Sequence, residues 1–550
     1  MSTGTQHDVV VVGAGFAGMY ALHLLRESGL TVRVFEAGDD VGGTWYWNRY
    51  PGARCDVDSL YYSYSFSPEL EQEWEWTERY PTQPEILRYA QHVADRFDLR
   101  RDIAFETRVR SAVFDEDRNL WVVETDGGNV VEAQFVVTAV GCLSTAQSPK
   151  LPGLENFAGT TLHTGQWSHQ GVDLSGRRVG VIGTGSSGIQ AIPQIAAQAE
   201  HVTVFQRTPN FTIPAHNRPL TPEEIAEVKA NYQQIREQLR QTFGGSETNP
   251  LEGTTMDRSD DELREVLEER WAFGGTSFIG TFADIMVDLE ANGRVADFVR
   301  GKIRDTVKDP AVADILSPTS YPIGSKRICV DTDYYATYNR DNVELVDLRD
   351  ASIEEVTKTG IRVGGQVHEI DTLVFATGYD AMTGSLLRLG IVGRSGRTLR
   401  EAWEAGPKTY LGLGVAGFPN LLTITGPGSP SVLSNMMISI EQHVEWIVQA
   451  IVHMRATGAA TIEAREDAQE EWVEHVNWVA DQTLFPQAPS WYTGANIPGK
   501  PRVFMPYAAG VAAYRQKCDQ VAADGYQGFR LEAAPDQLDH SLATSGFAAS

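Results

Sequence analysis

Cysteine is scarce in this chain: four residues in 550, namely Cys55, Cys142, Cys329 and Cys518, all far apart. No CxxC or CxxxxC pair occurs, so neither a disulfide framework nor a zinc site is expected, and a reducing, cytoplasmic setting fits. Long apolar runs are missing as well. No stretch approaches the about 18 consecutive apolar residues that a membrane-spanning helix needs. The opening MSTGTQHD passes straight into an apolar strand, without the basic and apolar regions of a secretory signal. Basic residues are outnumbered, 46 Lys and Arg against 73 Asp and Glu, for a formal net charge of -27. Such a surface repels nucleic acid and anionic membranes and excludes both as partners. It is also the ordinary surface of a solvated protein, so it says little about a substrate. What is abundant is core material, 42% hydrophobic residues in a length that accommodates two to four domains.

One motif occurs twice at long range. Each copy is an apolar strand, a glycine-rich turn, a helix and a second strand, the βαβ unit of doubly wound folds. The first runs from about Val9 to Glu36 and the second from about Val179 to Arg207. In the first, Gly13-Ala14-Gly15-Phe16-Ala17-Gly18 follows Val9-Val10-Val11-Val12. The first glycine permits the tight turn, the second lets a pyrophosphate approach the backbone, and the third lets helix and strand pack closely. The helix N-terminus then stabilises phosphate charge. Glu36 ends the next strand, 23 residues after Gly13, where a carboxylate accepts hydrogen bonds from ribose hydroxyls.

The second copy, Gly183-Thr184-Gly185-Ser186-Ser187-Gly188, has Gln206 at the same spacing of 23, followed at once by Arg207-Thr208. A carboxylate would repel a 2′-phosphate and an arginine pairs with it. The acid assigns FAD to the first site and the base assigns NADPH to the second. Two dinucleotide sites in one chain point to electron transfer from nicotinamide to flavin. A disulfide is a poor acceptor for those electrons, because no redox cysteine pair exists. Another acceptor, or oxygen, remains open at this point.

The fold class expected is α/β: two Rossmann-like dinucleotide-binding domains with a helical insertion. From Leu220 to Ile315 the texture is charged and helical, with capping boxes at Thr221-Pro222-Glu223-Glu224 and Ser259-Asp260-Asp261-Glu262 and a loop at Gly244-Gly245-Ser246. This stretch reads as an insertion in the nucleotide domain without chemistry of its own. Strands return at Val343-Val346 and Thr372-Phe375. After Leu421-Thr425 a helix is expected to begin near Ser431, with Met437, Ile440, Val444, Ile447, Val448 and Ile451 as its core face. The boundaries expected are 1–150 and 381–532 for the FAD domain, 151–215 and 325–380 for the NADP domain, 216–324 for the insertion and 533–550 for a polar, disordered tail.

Phe157-Ala158-Gly159-Thr160-Thr161-Leu162-His163-Thr164-Gly165-Gln166-Trp167 fits the FxGxxxHxxxW fingerprint of the Baeyer–Villiger monooxygenases and lies just before the second glycine motif, as in that family. Ser168 departs from the proline often found there. Gly42-Gly43-Thr44-Trp45-Tyr46-Trp47-Asn48-Arg49-Tyr50-Pro51-Gly52-Ala53-Arg54-Cys55-Asp56 resembles the family's flavin-contacting loop. The likeness runs from Val9 to about Phe529, and is greatest to phenylacetone and steroid monooxygenases.

The resemblance implies a chemistry and roles. Reduced flavin and oxygen form a C4a-peroxyflavin that attacks a ketone, and the adduct rearranges to an ester or lactone. The partners are then a small-molecule ketone, bulky, aromatic or cyclic, and O2, with a monomer or weak homo-oligomer expected. Developing anions need a fixed positive charge where water is excluded. Ser325-Lys326-Arg327-Ile328 resembles the segment with the catalytic arginine, so Arg327 takes that role and Asp56 orients it. Lys326 joins Arg207 and Thr208 on the 2′-phosphate. The flavin contacts implied are Gly13, Gly15, Phe16, Gly18, Glu36, Thr44, Trp45, Trp47, Asp56, Tyr62, Val109 and Met436. Those implied for NADPH are Thr184, Gly185, Ser186, Ser187, Gly188, Gln190, Arg207, Thr208, Lys326, Arg327 and Trp491. His163 and Trp167 read as a hinge rather than a base. Val57, Cys142, Leu143, Leu433 and Met436 match pocket-lining segments, with Ser431-Val432 in a loop that influences pocket size. Oxidation of amines or sulfides by a flavin-containing monooxygenase is the competing reading.

Overall fold

The computed structural model describes residues 5–246 and 250–533. Two sheets organise it. The larger is eight-stranded, and Thr5–Val12 lies in its middle between Val32–Phe35 and Val130–Thr138, both parallel to it. Val9, Val10 and Val11 are completely buried, which is why this strand reads as a continuous apolar run rather than an alternating one. The second sheet is five-stranded and wholly parallel, in the order Val343–Asp347, His201–Gln206, Arg178–Ile182, Thr372–Phe375, Thr160–His163. Each glycine motif therefore sits at the carboxyl end of a central parallel strand, where α/β sheets bind ligands.

Apart from the insertion, the chain crosses twice between the two units. It leaves the first through the fingerprint, whose strand Thr160–His163 is the edge of the second sheet, and returns after Thr372–Phe375. The fingerprint glycine has a steric reason. A Cβ on Gly159 would lie 2.2 Å from the Asp371 carbonyl oxygen and 2.6 Å from the Phe157 ring. Asp371 immediately precedes Thr372–Phe375, so this edge closes only over a bare Cα. Gly159→Ala is expected to cost about 1–3 kcal/mol by overpacking against backbone that cannot withdraw, read as a lower melting temperature of the holoenzyme.

Two expectations need correction. The insertion does not belong to the nucleotide domain alone. Its first helix, Pro222–Leu239, packs on the flavin side, with Val228, Ile235 and Leu239 joining the cluster that holds Phe16, Trp45 and Tyr62. Helices Leu289–Thr306 and Pro310–Leu316 contribute Ile303, Ala313 and Leu316 to the nucleotide-side core. Both capping boxes form as read. The second correction concerns the helix expected near Ser431. Ser431–Leu433 is a separate 3-10 turn, Ser434 is extended, and the long helix is Met436–Thr457. Asn435 starts it, its side chain accepting from the Met437 N–H at 3.1 Å. Every core-face residue named for that helix is buried. Strand Phe529–Ala533 closes the described chain. The tail from 534 lies outside the described residues.

Candidate active site

The two glycine turns share one geometry. Gly13 and Gly183 have φ of +103° and +109°, conformations open to glycine. A Cβ on Gly18 or Gly188 would fall 1.8 or 2.3 Å from the carbonyl oxygen of the first glycine, so helix and turn touch only through glycine. The middle glycines differ. Nothing lies within 4 Å of a Cβ on Gly185, which with Ser186 faces solvent at the start of helix Ser186–Ala196. Gly15 instead faces Gly43 of the aromatic loop, whose own Cβ would lie 2.8 Å from the Gly15 Cα. The first cradle is therefore roofed by residues 42–47, and the second is open. That contrast fits a resident dinucleotide in the first and an exchanging one in the second.

The roof is built from aromatics. Thr44–Trp47 forms a single helical turn. The Trp45 indole donates to the Tyr62 hydroxyl at 3.1 Å, and Phe16 meets the Tyr62 ring edge-on at 6.0 Å. Glu36 is buried and accepts from the Ala14 and Gly38 N–H groups, both at 2.8 Å, which holds its carboxylate at the cradle's edge. Thr107 donates to the Glu36 carbonyl at 2.8 Å and brings Val109, the start of its strand, alongside.

At the second cradle Gln206 stands where Glu36 stands in the first. It is buried and neutral, with its amide nitrogen on the Ile315 carbonyl at 3.0 Å. Arg207 is exposed, and Thr208 is tied to the turn by Thr184 Oγ1 at 3.1 Å. Lys326 approaches Arg207 from the segment between the insertion and strand Cys329–Asp331. Burial pushes its ammonium down to about 8, and the Arg207 guanidinium adds to the shift. Two neighbouring cations with no ion pair among the described residues form a receptor for an anion. Ser186 and Ser187 hydroxyls pair with Cys329 Sγ at 3.2 Å and Thr164 Oγ1 at 3.1 Å. Gln190 sits farther along the helix, in a cleft of about 380 Å³ between the units. Its amide accepts from Tyr50 Oη at 2.8 Å and donates to the Arg54 carbonyl at 3.1 Å, so it also clasps the flavin-side loop.

Between the cradles lies the pair expected from sequence. Arg327 Nη2 reaches both oxygens of Asp56, at 2.8 and 2.9 Å, although 271 residues separate them. Arg327 Nη1 donates to the Val432 carbonyl at 2.8 Å. The side chains retain 27% and 22% exposure, so the pair is drawn out of bulk water yet open on one side. The Asp56 carboxylate holds the guanidinium pKa well above its ordinary value, outweighing burial. The result is a permanent cation at a fixed place, with donors left for a second anion.

Sequence reading missed two partners here. One is the Val432 carbonyl, since any residue can offer a carbonyl and none advertises it. The other is Tyr492, buried beside Arg327, whose charge acts on its hydroxyl, while burial pushes that hydroxyl up to about 12. The signal was present, since Tyr492 directly follows Trp491, which the sequence did single out. Their rings lie 4.4 Å apart. Lys500, bonded to Asp380 and the Ala381 carbonyl at 2.7 Å each, pins this loop to the second crossing.

The residues expected to line a pocket belong to the large flavin-side core. Val57, Leu143, Leu433, Met436, Trp47 and Trp491 pack against the core that contains Cys142, Trp45 and Tyr62. Burial pushes the Cys142 thiol up to about 11 and raises those of Cys55 and Cys329. All four cysteines are buried and unpaired, a state that favours inert thiols.

His163 is no free base. Its Nδ1 accepts from the Gly165 N–H at 2.9 Å, which leaves the proton on Nε2, 3.2 Å from the Gln147 carbonyl. Burial lowers its pKa, so it is a neutral structural link between the crossing and residue 147. Trp167 is buried in the nucleotide-side core. His163→Gln is expected to lower turnover without moving either limb of the pH–rate profile. A displaced limb would make the imidazole a titrating participant.

Known proteins give these features a family. Residues 10–248 match a family model described as pyridine nucleotide-disulphide oxidoreductase. The match spans both glycine motifs and the strands that follow them. A Baeyer–Villiger monooxygenase of Pseudooceanicola batsensis is 45% identical over 532 residues, 96% of either chain. The chain belongs to the Baeyer–Villiger monooxygenase family. The fold agrees: an oxidised steroid monooxygenase bound to NADP superposes with a TM-score of 0.93 at 55% identity, covering 96% of this chain and 100% of that one. A relative from Lysobacter antibioticus, 43% identical over 97% of this chain and 98% of its own, is named a phenazine N-monooxygenase. Family membership makes this Baeyer–Villiger monooxygenase a flavin-dependent enzyme that converts ketones to esters or lactones. Among the described residues no helix is long and apolar enough to cross a membrane.

Proposed function

We propose that this Baeyer–Villiger monooxygenase acts on bulky, aromatic or cyclic ketones, with FAD held in the roofed cradle and NADPH in the open one. FAD, when bound, passes electrons from NADPH to O2 and supplies the activated oxygen. The protein's own residues do the rest. Arg327, locked by Asp56 and the Val432 carbonyl, offers a permanent cation to the negative charge that develops on the reacting oxygens. Asp56 keeps the guanidinium in one orientation. Trp45, Trp47, Tyr62 and Met436 line the flavin, while Val57, Leu143, Leu433 and Cys142 exclude water and receive an apolar ketone. Arg207, Thr208 and Lys326 hold the 2′-phosphate. Four unpaired cysteines suit a reducing compartment.

The observation that carries the reading is the two-pronged Arg327–Asp56 contact, made between the end of the aromatic loop and the segment before strand Cys329–Asp331. The test is product analysis after incubation with NADPH, a ketone panel and labelled oxygen gas. Ester or lactone carrying one labelled atom supports it. Ester without label overturns the mechanism. Sulfoxide or N-oxide from a parallel panel, without any ester, assigns the enzyme to heteroatom oxidation.

A further inference from the structure

The insertion's first helix sends one buried arginine into the flavin side of the molecule. Arg236 is 5% exposed, and its three nitrogens point three ways. Nε donates to Glu71 Oε1 at 3.0 Å, Nη2 to Ser63 Oγ at 2.7 Å, and Nη1 to the Tyr61 carbonyl at 3.0 Å. The Tyr61 carbonyl also accepts from Asn435 Nδ2 at 2.9 Å. Asn435 caps helix Met436–Thr457 with its other amide atom, and its N–H donates to the Gly244 carbonyl of the insertion at 2.8 Å. The neighbouring Phe243 carbonyl accepts from Val511 at 2.9 Å, the first residue of helix Val511–Ala523. One carbonyl is thus gripped from two sides, by the insertion and by a helix cap that the insertion also touches. The residues next in sequence are Tyr62, which holds the Trp45 indole, and Met436.

We propose that Arg236 is a positioning residue for the flavin: by fixing the Tyr61 carbonyl it sets Tyr62 with Trp45, and Asn435 with Met436, at one spacing around the cofactor. This rests on the assignment of those residues to the flavin cradle. It also gives the insertion's first helix a task that its polar sequence did not announce. A guanidinium can serve three acceptors in one plane and an ammonium cannot.

The experiment removes FAD from the purified enzyme and titrates it back, following flavin fluorescence, for Arg236→Lys, Asn435→Ser, both together, and Glu71→Gln. Asn435→Ser keeps a capping oxygen and loses the donor to Tyr61. Arg236→Lys and Asn435→Ser are each expected to weaken FAD binding about tenfold, and the double variant by less than the product, because both act on one carbonyl. More NADPH should be consumed without product, while the Michaelis constant for NADPH stays within about twofold. Glu71→Gln should lower the melting temperature and leave FAD affinity unchanged. Lower melting temperatures with wild-type FAD affinity in both single variants would overturn the proposal. Absence of ester from the wild-type enzyme would count against the proposed reaction alone, since the titration does not depend on a ketone.

Discussion

Arg327→Ala should abolish ester formation while NADPH still bleaches the flavin. The guanidinium is a fixed cation whose Nη2 is held by both Asp56 oxygens. Removing one preorganised donor from such a site costs on the order of 10²–10³ in rate, and here the whole charge goes with it. Hydride transfer from a bound nicotinamide needs no anion stabilised at that spot, so stopped-flow reduction should remain measurable. Oxidation of NADPH would then continue with hydrogen peroxide as product. Arg327→Lys separates charge from geometry. It keeps a cation but loses the planar fork that engages carboxylate and carbonyl together, so partial ester formation is expected. Asp56→Asn should fall between the two, with the charge present and its orientation loosened. Ester yield equal to wild type in Arg327→Ala would remove this residue from the reaction. Loss of flavin from the purified variant would instead make the pair structural.

What could be read from the sequence followed from how local the cause is. Both βαβ units were legible because strand, glycine turn and terminal residue fall within one short window. Glu36 against Gln206 needed only counting. The structure adds that these two occupy equivalent places while behaving differently, the acid bonded to its own glycine turn and the amide turned toward Ile315. Arg327 and Asp56 were readable only through family likeness, because 271 residues lie between them and a lysine–arginine dipeptide looks like solvated surface. The Val432 carbonyl could not be found at all. Periodicity also misplaced the start of the Met436 helix, because Ser431-Val432-Leu433 satisfies a helical pattern for one turn. What ends that turn is the extended Ser434, and what begins the next helix is the Asn435 cap. The insertion misled for a related reason. Its capping boxes define where helices start, and nothing local says which core a helix will face. Pro222–Leu239 faces the flavin side because Arg236 finds Glu71 and the Tyr61 carbonyl there.

Cofactor choice supplies the second large effect. Arg207→Ala should raise the Michaelis constant for NADPH by about tenfold to a hundredfold, equivalent to 1–3 kcal/mol for a charge-assisted phosphate contact, and change that for NADH little. The same site makes NADPH binding depend on pH in a predictable sense. Burial and the Arg207 charge lower the Lys326 pKa to about 8 in the free enzyme. Lowering favours the neutral amine, so the cation is present below that value and lost as pH rises through it. A bound 2′-phosphate attracts the proton and shifts the loss upward. The NADPH Michaelis constant should therefore climb above pH 8 while the NADH constant stays flat there. Lys326→Arg, which keeps its proton throughout, should flatten the NADPH curve. Arg207→Ala removes a like charge and should move the inflection to higher pH while weakening binding at every pH. An NADPH curve that stays flat from pH 7 to 10 would show that Lys326 does not reach the phosphate. An equal loss for both cofactors in Arg207→Ala would show that its guanidinium serves the ribose or pyrophosphate instead.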